Sequence, residues 1–398
     1  MPQEKRIPRG ILVSAFLLGF AMLIPMVSIP PMEHILKEEL LLTHTQTGLL
    51  YTTPLIMLVA LAIPGGLLAD RMGIRRAAGI GAIVMVTGCL LRGIATDFPS
   101  LLAYTFIYGM GFGLVFPNLP KLVSTWIPRE KAGIATGIFT TGMVLGNAVP
   151  LAFTMSVIFP ITTTFQGTLF IWAIPGVIAT IVWWILVKDP PRSSTPNESV
   201  TQSTVPLRQI LQNKNLWLVA IVLMLNNVFF YTWIGWTPAL MMQKGATPDL
   251  ASFIISVSQW IAIPSVFFAP RLSYKIGKRK PFIWIPSFVL ALISLAAIYM
   301  TVPVSWGIMT LVGIFHSTRF VTIMALPVEI MPKEAVGRAT GLMLCIGYAG
   351  GIIGPLIGGY IFDLSGSIDL SLLILIIVSL ATGIITFKIP ETGSRPEQ

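Results

Sequence analysis

The sequence predicts an all-α membrane protein whose twelve transmembrane helices form two pseudo-symmetric six-helix bundles. Three observations lead to this prediction: the composition, the spacing of the apolar stretches and an internal repeat. Apolar residues make up 55% of the 398 residues and charged residues only 11%, whereas a soluble domain carries about 25% charged residues. Most of the chain is therefore predicted to lie in lipid.

The apolar stretches have the length of membrane spans. Twelve of them approach the ~20 residues that a helix needs to cross a bilayer. They cover residues 10–31, 46–69, 77–96, 100–122, 132–159, 167–187, 215–238, 250–270, 281–301, 304–327, 338–361 and 368–389. The segment 188–213 is rich in Pro, Ser, Thr and Asn, which predicts a flexible linker between an N-terminal bundle at 1–187 and a C-terminal bundle at 214–398.

The internal repeat has a fixed offset of 204 residues. Residues 66–76 align without a gap on residues 270–280, and residues 128–137 align on residues 332–341. In a membrane protein, such a repeat predicts two homologous bundles that rock against each other around a site between them.

The basic residues are distributed asymmetrically across the predicted membrane. With a cytoplasmic N-terminus, 22 of the 26 Lys and Arg residues lie on the inner side, as the positive-inside rule expects of short loops. Both chain ends are therefore predicted in the cytoplasm, and the net charge of +10 does not indicate a nucleic-acid partner. Cys89 and Cys345 fall within spans and are predicted to pack as small apolar residues, so neither a metal nor a cofactor is expected.

The first copy of the repeat carries Gly66, Asp70, Arg71, Gly73 and Arg75. This pattern resembles the signature between spans 2 and 3 of the major facilitator superfamily, and the resemblance covers essentially the whole chain. It implies a monomeric secondary transporter of the cytoplasmic membrane that moves a small-molecule substrate by alternating access. It also implies that these five residues latch the cytoplasmic side in the outward-facing state, with a close helix contact at the first glycine and a tight turn at the second. A basic loop that only sets the topology is the alternative.

Spans 5 and 11 share a pattern of two glycines and a proline, each four residues apart. Small residues at this spacing let helices approach closely, and Pro weakens the hydrogen-bond ladder where a helix bends. The first copy resembles an antiporter signature of the family, but its occurrence in both halves favours a general hinge or packing element. The residues are Gly142, Gly146 and Pro150, and Gly347, Gly351 and Pro355.

Polar groups at mid-membrane depth are expensive and mark candidate functional residues. Arg319 lies about 15 Å from Glu329 at the inner end of span 10, and His316 lies on the same helix face. The family fold places span 10 at the central cavity, so Arg319 is predicted to bind an anion. The alternative is a structural arginine satisfied by backbone carbonyls or by neighbouring polar groups. Arg92, near the outer end of span 3, is expected to extend to the membrane interface.

Amides and aromatics at similar depth are the predicted partners of Arg319. Together they predict a small polar cavity of the kind that a ligand needs, although each by itself could be only an interhelical hydrogen-bonding residue. These residues are Asn226, Asn227, Tyr231, Gln259, Asn147, Asn118 and Tyr51.

The spans contain no Asp or Glu at mid-depth. Exporters of cationic drugs usually place a carboxylate there, so a cation favours a small anionic or polar organic substrate. If protons are co-transported, His316 or the neighbours Glu33 and His34 are the titratable candidates. Short segments at 47–54, 90–93 and 117–120 resemble the branch of cyanate and nitroimidazole transporters, which favours the same substrates.

Two other functions stay open at the level of sequence. One is a proton-coupled exporter, or antiporter, of small hydrophobic compounds or drugs. The other is a membrane sensor, which the absence of a soluble output domain disfavours. An enzyme is not expected, because the spans hold no His-x-x-x-His or paired-carboxylate arrangement and the chain has no nucleotide-binding loop.

Overall fold

The computed structural model of the chain describes residues 9–127, 129–188, 207–332 and 335–393. All regular secondary structure in these ranges is helical. The α-helices are α1 (Arg9–Ala21), α2 (Ile24–Val27), α3 (Glu33–Leu40), α4 (His44–Met72), α5 (Ile74–Arg92), α6 (Phe98–Val115), α7 (Asn118–Trp126), α8 (Arg129–Phe153), α9 (Phe159–Thr162), α10 (Phe165–Leu186), α11 (Leu207–Leu211), α12 (Lys214–Gln243), α13 (Pro248–Ile276), α14 (Pro281–Tyr299), α15 (Val302–Ile330), α16 (Val336–Ser365) and α17 (Ile368–Thr386).

Twelve helical segments within the described residues are long and apolar enough to cross a membrane, which confirms the predicted number. Span 1 is composite: it consists of α1, α2, a 3₁₀ turn at Pro30–Met32, and α3. Span 4 combines α6 with the start of α7, and span 5 combines α8, a π-helical turn at Thr154–Ile158, and α9. The other nine spans are single helices.

The chain forms two compact units. The first contains α1 to α10 and the start of α13 up to Ser256, and the second contains α11, α12, the rest of α13 and α14 to α17. Most of the predicted linker, residues 189–206, lies outside the described residues, as do residues 128, 333 and 334 of the repeat. The boundaries at 187 and 214 therefore stay predictions.

Local sequence signals explain where several helices begin. Thr43 caps α4 and forms a capping box with Gln46, and Asp97 does the same for α6 with Ser100. These side chains satisfy backbone N–H groups that have no partner in the first helical turn. The backbone N–H of Ser100 donates to the Asp97 carboxylate at 2.8 Å and lowers the pKa of that carboxyl. Gly73 joins α4 to α5 with φ 88°, a backbone conformation that favours glycine.

Glycines set the close helix contacts of the first unit. A Cβ atom on Gly142 would lie 2.4 Å from the carbonyl oxygen of Phe16, and one on Gly146 would lie 2.4 Å from that of Phe20. Helices α1 and α8 therefore pack backbone to backbone, with the two predicted glycines at the contact.

In the second unit, α12 packs closely against α16, and Gly347 of the predicted pattern lies at the contact. A Cβ atom on Gly347 would lie 2.4 Å from the side chain of Leu223, and one on Gly350 would lie 2.0 Å from the carbonyl oxygen of Met224. Gly354 continues this contact one turn later, against Thr232 and Val228. The close face of α16 thus includes Gly347, Gly350 and Gly354.

Candidate functional site

The candidate site lies in the second unit, where α12, α14 and α15 surround one arginine. The Asn213 side chain caps α12 by accepting hydrogen bonds from the backbone N–H groups of Asn215 and Leu216. From this start, Asn226 and Phe229 fall on one face of the helix because they are three residues apart. Both side chains are buried and point at the guanidinium of Arg319 on α15.

Arg319 is fully buried, with 0% of its surface exposed. Its Nε donates to the Oδ1 of Asn226 at 2.8 Å, and its Nη1 donates to the Oγ of Ser287 on α14 at a longer 3.4 Å. Its Cζ lies 5.1 Å from the centroid of the Phe229 ring, which is within the range of a cation–π contact. These contacts fix the plane and direction of the guanidinium.

One nitrogen of the Arg319 guanidinium, the buried Nη2, is unpaired among the described residues. Ion pairs among the described residues include those of His44 with Glu33, Lys121 with Asp70, Lys244 with Asp369 and Arg279 with Glu329. None of them includes Arg319. A buried charge without a counter-charge is costly, and a bound anion would supply both the charge and the missing acceptor.

His316 lies one turn before Arg319 and is held by aromatic rings. Its imidazole stacks on Phe230 with the ring centroids 4.6 Å apart and the planes at 14°, and it also contacts Phe229 and Phe320. The Nε2 atom is buried and has no hydrogen-bond partner among the described residues. In the tautomer that carries its proton on Nε2, His316 offers a second donor on the same helix face as Arg319.

Asn227 makes different contacts from its neighbour Asn226. Its Nδ2 donates to the carbonyl oxygen of Gly347 at 3.0 Å, so it ties α12 to α16. Its Oδ1 accepts from the Nδ2 of Asn226 at 3.4 Å, which links it indirectly to Arg319. Tyr231 is buried on the same helix, and its ring lies 6.4 Å from that of Tyr348.

The other predicted polar residues lie on helices other than α12, α14 and α15. Gln259 is buried on α13 and donates to the Oγ of Ser258 at 3.2 Å. Tyr51, Asn118 and Asn147 belong to the first unit. The Nδ2 of Asn118 donates to the carbonyl oxygens of Leu114 at 2.7 Å and Gly65 at 3.3 Å, so this side chain ties α4 to the junction between α6 and α7.

The expectation that Arg92 extends to the membrane interface is wrong. The side chain is 1% exposed, and its Nη1 donates to the carbonyl oxygen of Pro25 at 2.8 Å. The physical reason is a break in span 1, which leaves backbone carbonyls at the position that the guanidinium reaches.

The residues predicted as a latch have local contacts in the first unit. Asp70 forms an ion pair with Lys121 of α7, whose Nζ also donates to the carbonyl oxygen of Gly66 at 3.2 Å. Arg75 instead donates to the carbonyl oxygen of Trp184 at 2.9 Å, and Arg71 is exposed. A Cβ atom on Gly66 would meet no described atom within 4 Å, and the close contact of the latched state stays a prediction.

Three contacts were missed at the level of sequence. Glu33 pairs with His44, Oε1 to Nδ1 at 2.7 Å, and not with His34. Consecutive side chains on a helix point about 100° apart, whereas Leu41, with φ 52°, reverses the chain and brings the start of α4 to Glu33. Arg279 pairs with Glu329 at 2.6 Å, and Ser287 contacts Arg319. The cluster of basic residues in the loop could have drawn attention to Arg279. Nothing in the sequence distinguishes Ser287 from any other serine in an apolar helix.

Comparison with known proteins identifies the family. The sequence model of the Major Facilitator Superfamily matches residues 11–343 and, in a second match, residues 238–398. The chain belongs to the major facilitator superfamily. It is thus a multi-pass membrane transporter of small molecules and not an enzyme, as the signature in residues 66–75 predicted.

Relatives in the superfamily cover nearly the whole chain. The uncharacterized transporter YycB of Bacillus subtilis (strain 168) is 24% identical over 396 residues, covering 96% of this chain and 94% of the relative. The hexuronate transporter of the same organism is 24% identical over 355 residues, covering 83% and 82%. The cyanate transport protein CynX of Escherichia coli (strain K12) is 22% identical over 354 residues, covering 88% and 89%.

A solved structure of the superfamily shares the fold. The bacterial homolog of the human lysosomal transporter Spinster, in its inward-facing and occupied conformation, superposes with a TM-score of 0.80 at 14% identity. The match covers 96% of this chain and 97% of that one. The likeness confirms the predicted all-helical fold of the superfamily.

Proposed function

We propose that this transporter moves a small organic anion across the cytoplasmic membrane by alternating access, with Arg319 as the anion-binding residue. The observation that carries the proposal is the buried guanidinium whose Nη2 lacks a partner and whose charge lacks a carboxylate among the described residues. An anion bound at Nη2 would complete the hydrogen bonds of the group and neutralise its charge.

The chemistry around Arg319 favours a single negative group on a small solute. Nε and Nη1 already donate to Asn226 and Ser287. The Nη2 atom is therefore the main donor left for an oxyanion. His316 is the proposed second contact, and the rings of Phe229 and Phe230 would pack against the apolar part of the solute. Two of the relatives are named as transporters of hexuronate and cyanate, both of which are small anions.

The membrane, the orientation and the coupling ion are proposed from the family and the charge distribution. The family and the positive-inside distribution support a monomer in the cytoplasmic membrane with both ends in the cytoplasm. Protons are the proposed co-substrate, with His316 as the titrating group next to the bound anion. The competing function, export of small hydrophobic compounds, is disfavoured by a buried cation that such compounds would leave unpaired.

Anion-dependent stability of the purified protein tests the proposal. Thermal unfolding is measured with glucuronate, lactate and cyanate, and with the neutral analogues glucose and lactamide. A ligand at 100 times its Kd stabilises the native state by about 2.7 kcal/mol, so at least one anion should raise the Tm by several degrees while its neutral analogue does not.

The variants assign the effect to one residue. Arg319→Met should abolish the rise and Arg319→Lys should weaken it, because Lys keeps the charge but not the planar fork. Arg338→Met, which removes an exposed cation from α16, is the control and should respond like the wild type. A full anion-induced rise in Arg319→Met would remove this residue from the proposed site.

A further inference from the structure

Span 1 is interrupted, and the interruption lies where prolines withhold backbone donors. Helix α1 ends at Ala21, α2 covers only Ile24–Val27, and a 3₁₀ turn follows at Pro30–Met32. Pro25 lies inside this segment as well, and each proline lacks the N–H that a continuous helix would use. We refer to residues 22–32 as the span 1 break.

Two carbonyl groups lose their helical partners in the break. The backbone N–H of Met26 donates to the carbonyl oxygen of Leu23 at 3.2 Å, so the carbonyl of Met22 is passed over. In the same way, the N–H of Ile29 donates to Met26 at 3.3 Å, which leaves the carbonyl of Pro25 outside the helical ladder. Non-helical backbone at membrane depth persists only where protein or water satisfies such groups.

Two side chains of the neighbouring spans satisfy these two carbonyls. The hydroxyl of Tyr108 on α6 donates to the carbonyl oxygen of Met22 at 2.6 Å, and the Nη1 of Arg92 on α5 donates to that of Pro25 at 2.8 Å. The Cζ of Arg92 also lies 5.6 Å from the centroid of the Tyr108 ring. Both side chains are fully buried, so the pair is a closed clamp on the break. The hydroxyl of Ser28 adds a weaker bond to Pro25 at 3.1 Å.

The second half of the chain serves as an internal comparison. Helix α12, the first span of that half, runs unbroken over Lys214–Gln243. At the repeat offset of 204 residues, Arg92 corresponds to Ala296 and Tyr108 to Val312, and neither side chain has a donor. The break and its two donors thus occur in the same half and are both missing from the other.

We propose that Arg92 and Tyr108 are positioning residues that hold the span 1 break, and that this break is where the N-terminal unit bends during transport. Arg92 has two further donor atoms, Nε and Nη2, which have no hydrogen-bond partner among the described residues. The guanidinium can therefore keep a bond to the break while the carbonyls of Met22 and Pro25 change direction. The role in bending depends on the proposed transport function, whereas the role of the clamp does not.

Hydrogen exchange of the ligand-free protein tests the clamp. The amide exchange of peptides that cover residues 18–33 is followed by mass spectrometry in the wild type, in Arg92→Met and in Tyr108→Phe. Loss of the bond from the charged Arg92 should speed exchange in the break by about tenfold or more, and loss of the bond from the neutral Tyr108 by about two- to tenfold. Exchange in α12 should not change. Arg92→Lys, which restores a donor, should recover part of the protection.

Matched controls separate the clamp from general effects. Arg76→Met removes an exposed cation from the other end of α5, and Tyr104→Phe removes a hydroxyl one turn before Tyr108 on α6. Both should leave exchange in the break at the wild-type rate. If Arg92→Met does not fold, Tyr108→Phe alone decides. Unchanged exchange in the break, or an equal increase throughout the first unit, would overturn the proposal.

Uptake kinetics test the link to bending. With a transported anion from the panel of glucuronate, lactate and cyanate, Tyr108→Phe should lower kcat by about tenfold and leave KM within about twofold of the wild type. A rise in KM at constant kcat would place the clamp in substrate binding and contradict a positioning role. Should none of the three anions be transported, the proposed function fails, while the exchange rates still decide the clamp.

Discussion

Two buried arginines illustrate how one residue type serves two purposes. Arg92 donates to a backbone carbonyl that a break in span 1 exposes, whereas Arg319 donates to side chains on two helices, and each guanidinium has an unpaired Nη2 among the described residues. The sequence marks both as unusual, because arginine within a span is expensive. It does not distinguish their roles, since these depend on which groups of distant segments, such as Pro25 and Asn226, lie beside each guanidinium.

A negative charge beside Arg319 should weaken anion binding. Asn226→Asp puts a carboxylate where the amide oxygen now accepts from Nε at 2.8 Å, and the resulting ion pair neutralises the site. We expect anion affinity to fall at least about tenfold, since a competing charge must first be displaced. Isothermal titration with glucuronate, lactate or cyanate measures the effect.

Asn226→Leu is the matched variant, because it removes the hydrogen bond but leaves the arginine charge. Its anion affinity should exceed that of Asn226→Asp. Equal anion affinity in Asn226→Asp and the wild type would show that the charge of Arg319 does not attract the ligand.

At the scale of elements, glycines decide how closely helices pack. The sequence predicts close packing for span 11, and α16 indeed meets α12 at Gly347. The contact also includes Gly350 and Gly354, which the pattern of four-residue spacing does not contain. The helical period of 3.6 residues places residues 347, 350 and 354 on one face, but which face meets α12 is set by tertiary packing and is not visible in the motif.

Single alanine substitutions in α16 test this contact. Gly350→Ala places a methyl group 2.0 Å from the carbonyl oxygen of Met224, so the helices must separate, and stability should fall by about 1–3 kcal/mol. Gly341→Ala, in the same helix but with no described atom within 4 Å of the new methyl group, should change stability by less than about 1 kcal/mol. Thermal unfolding followed by tryptophan fluorescence compares the two, and equal Tm values would contradict the close packing.

At the scale of the whole molecule, the two halves share a scaffold and differ in chemistry. Twelve spans and the family could be predicted, because lipid demands long apolar helices and the signature of residues 66–75 is specific. The broken span 1 and the pair of Glu33 with His44 could not, because they depend on how prolines and one left-handed residue, Leu41, redirect the backbone. We propose that the halves differ in function: the first half bends at the span 1 break, and the second half binds the anion through Arg319.

Counterflow in proteoliposomes tests the central claim, that Arg319 binds a transported anion. Vesicles loaded with unlabelled glucuronate, lactate or cyanate are diluted into the labelled anion, and accumulation is followed over time. We expect transient accumulation of at least one anion by the wild type and by Arg338→Met, and none by Arg319→Met reconstituted at the same density. Accumulation by Arg319→Met at the wild-type rate would contradict this claim.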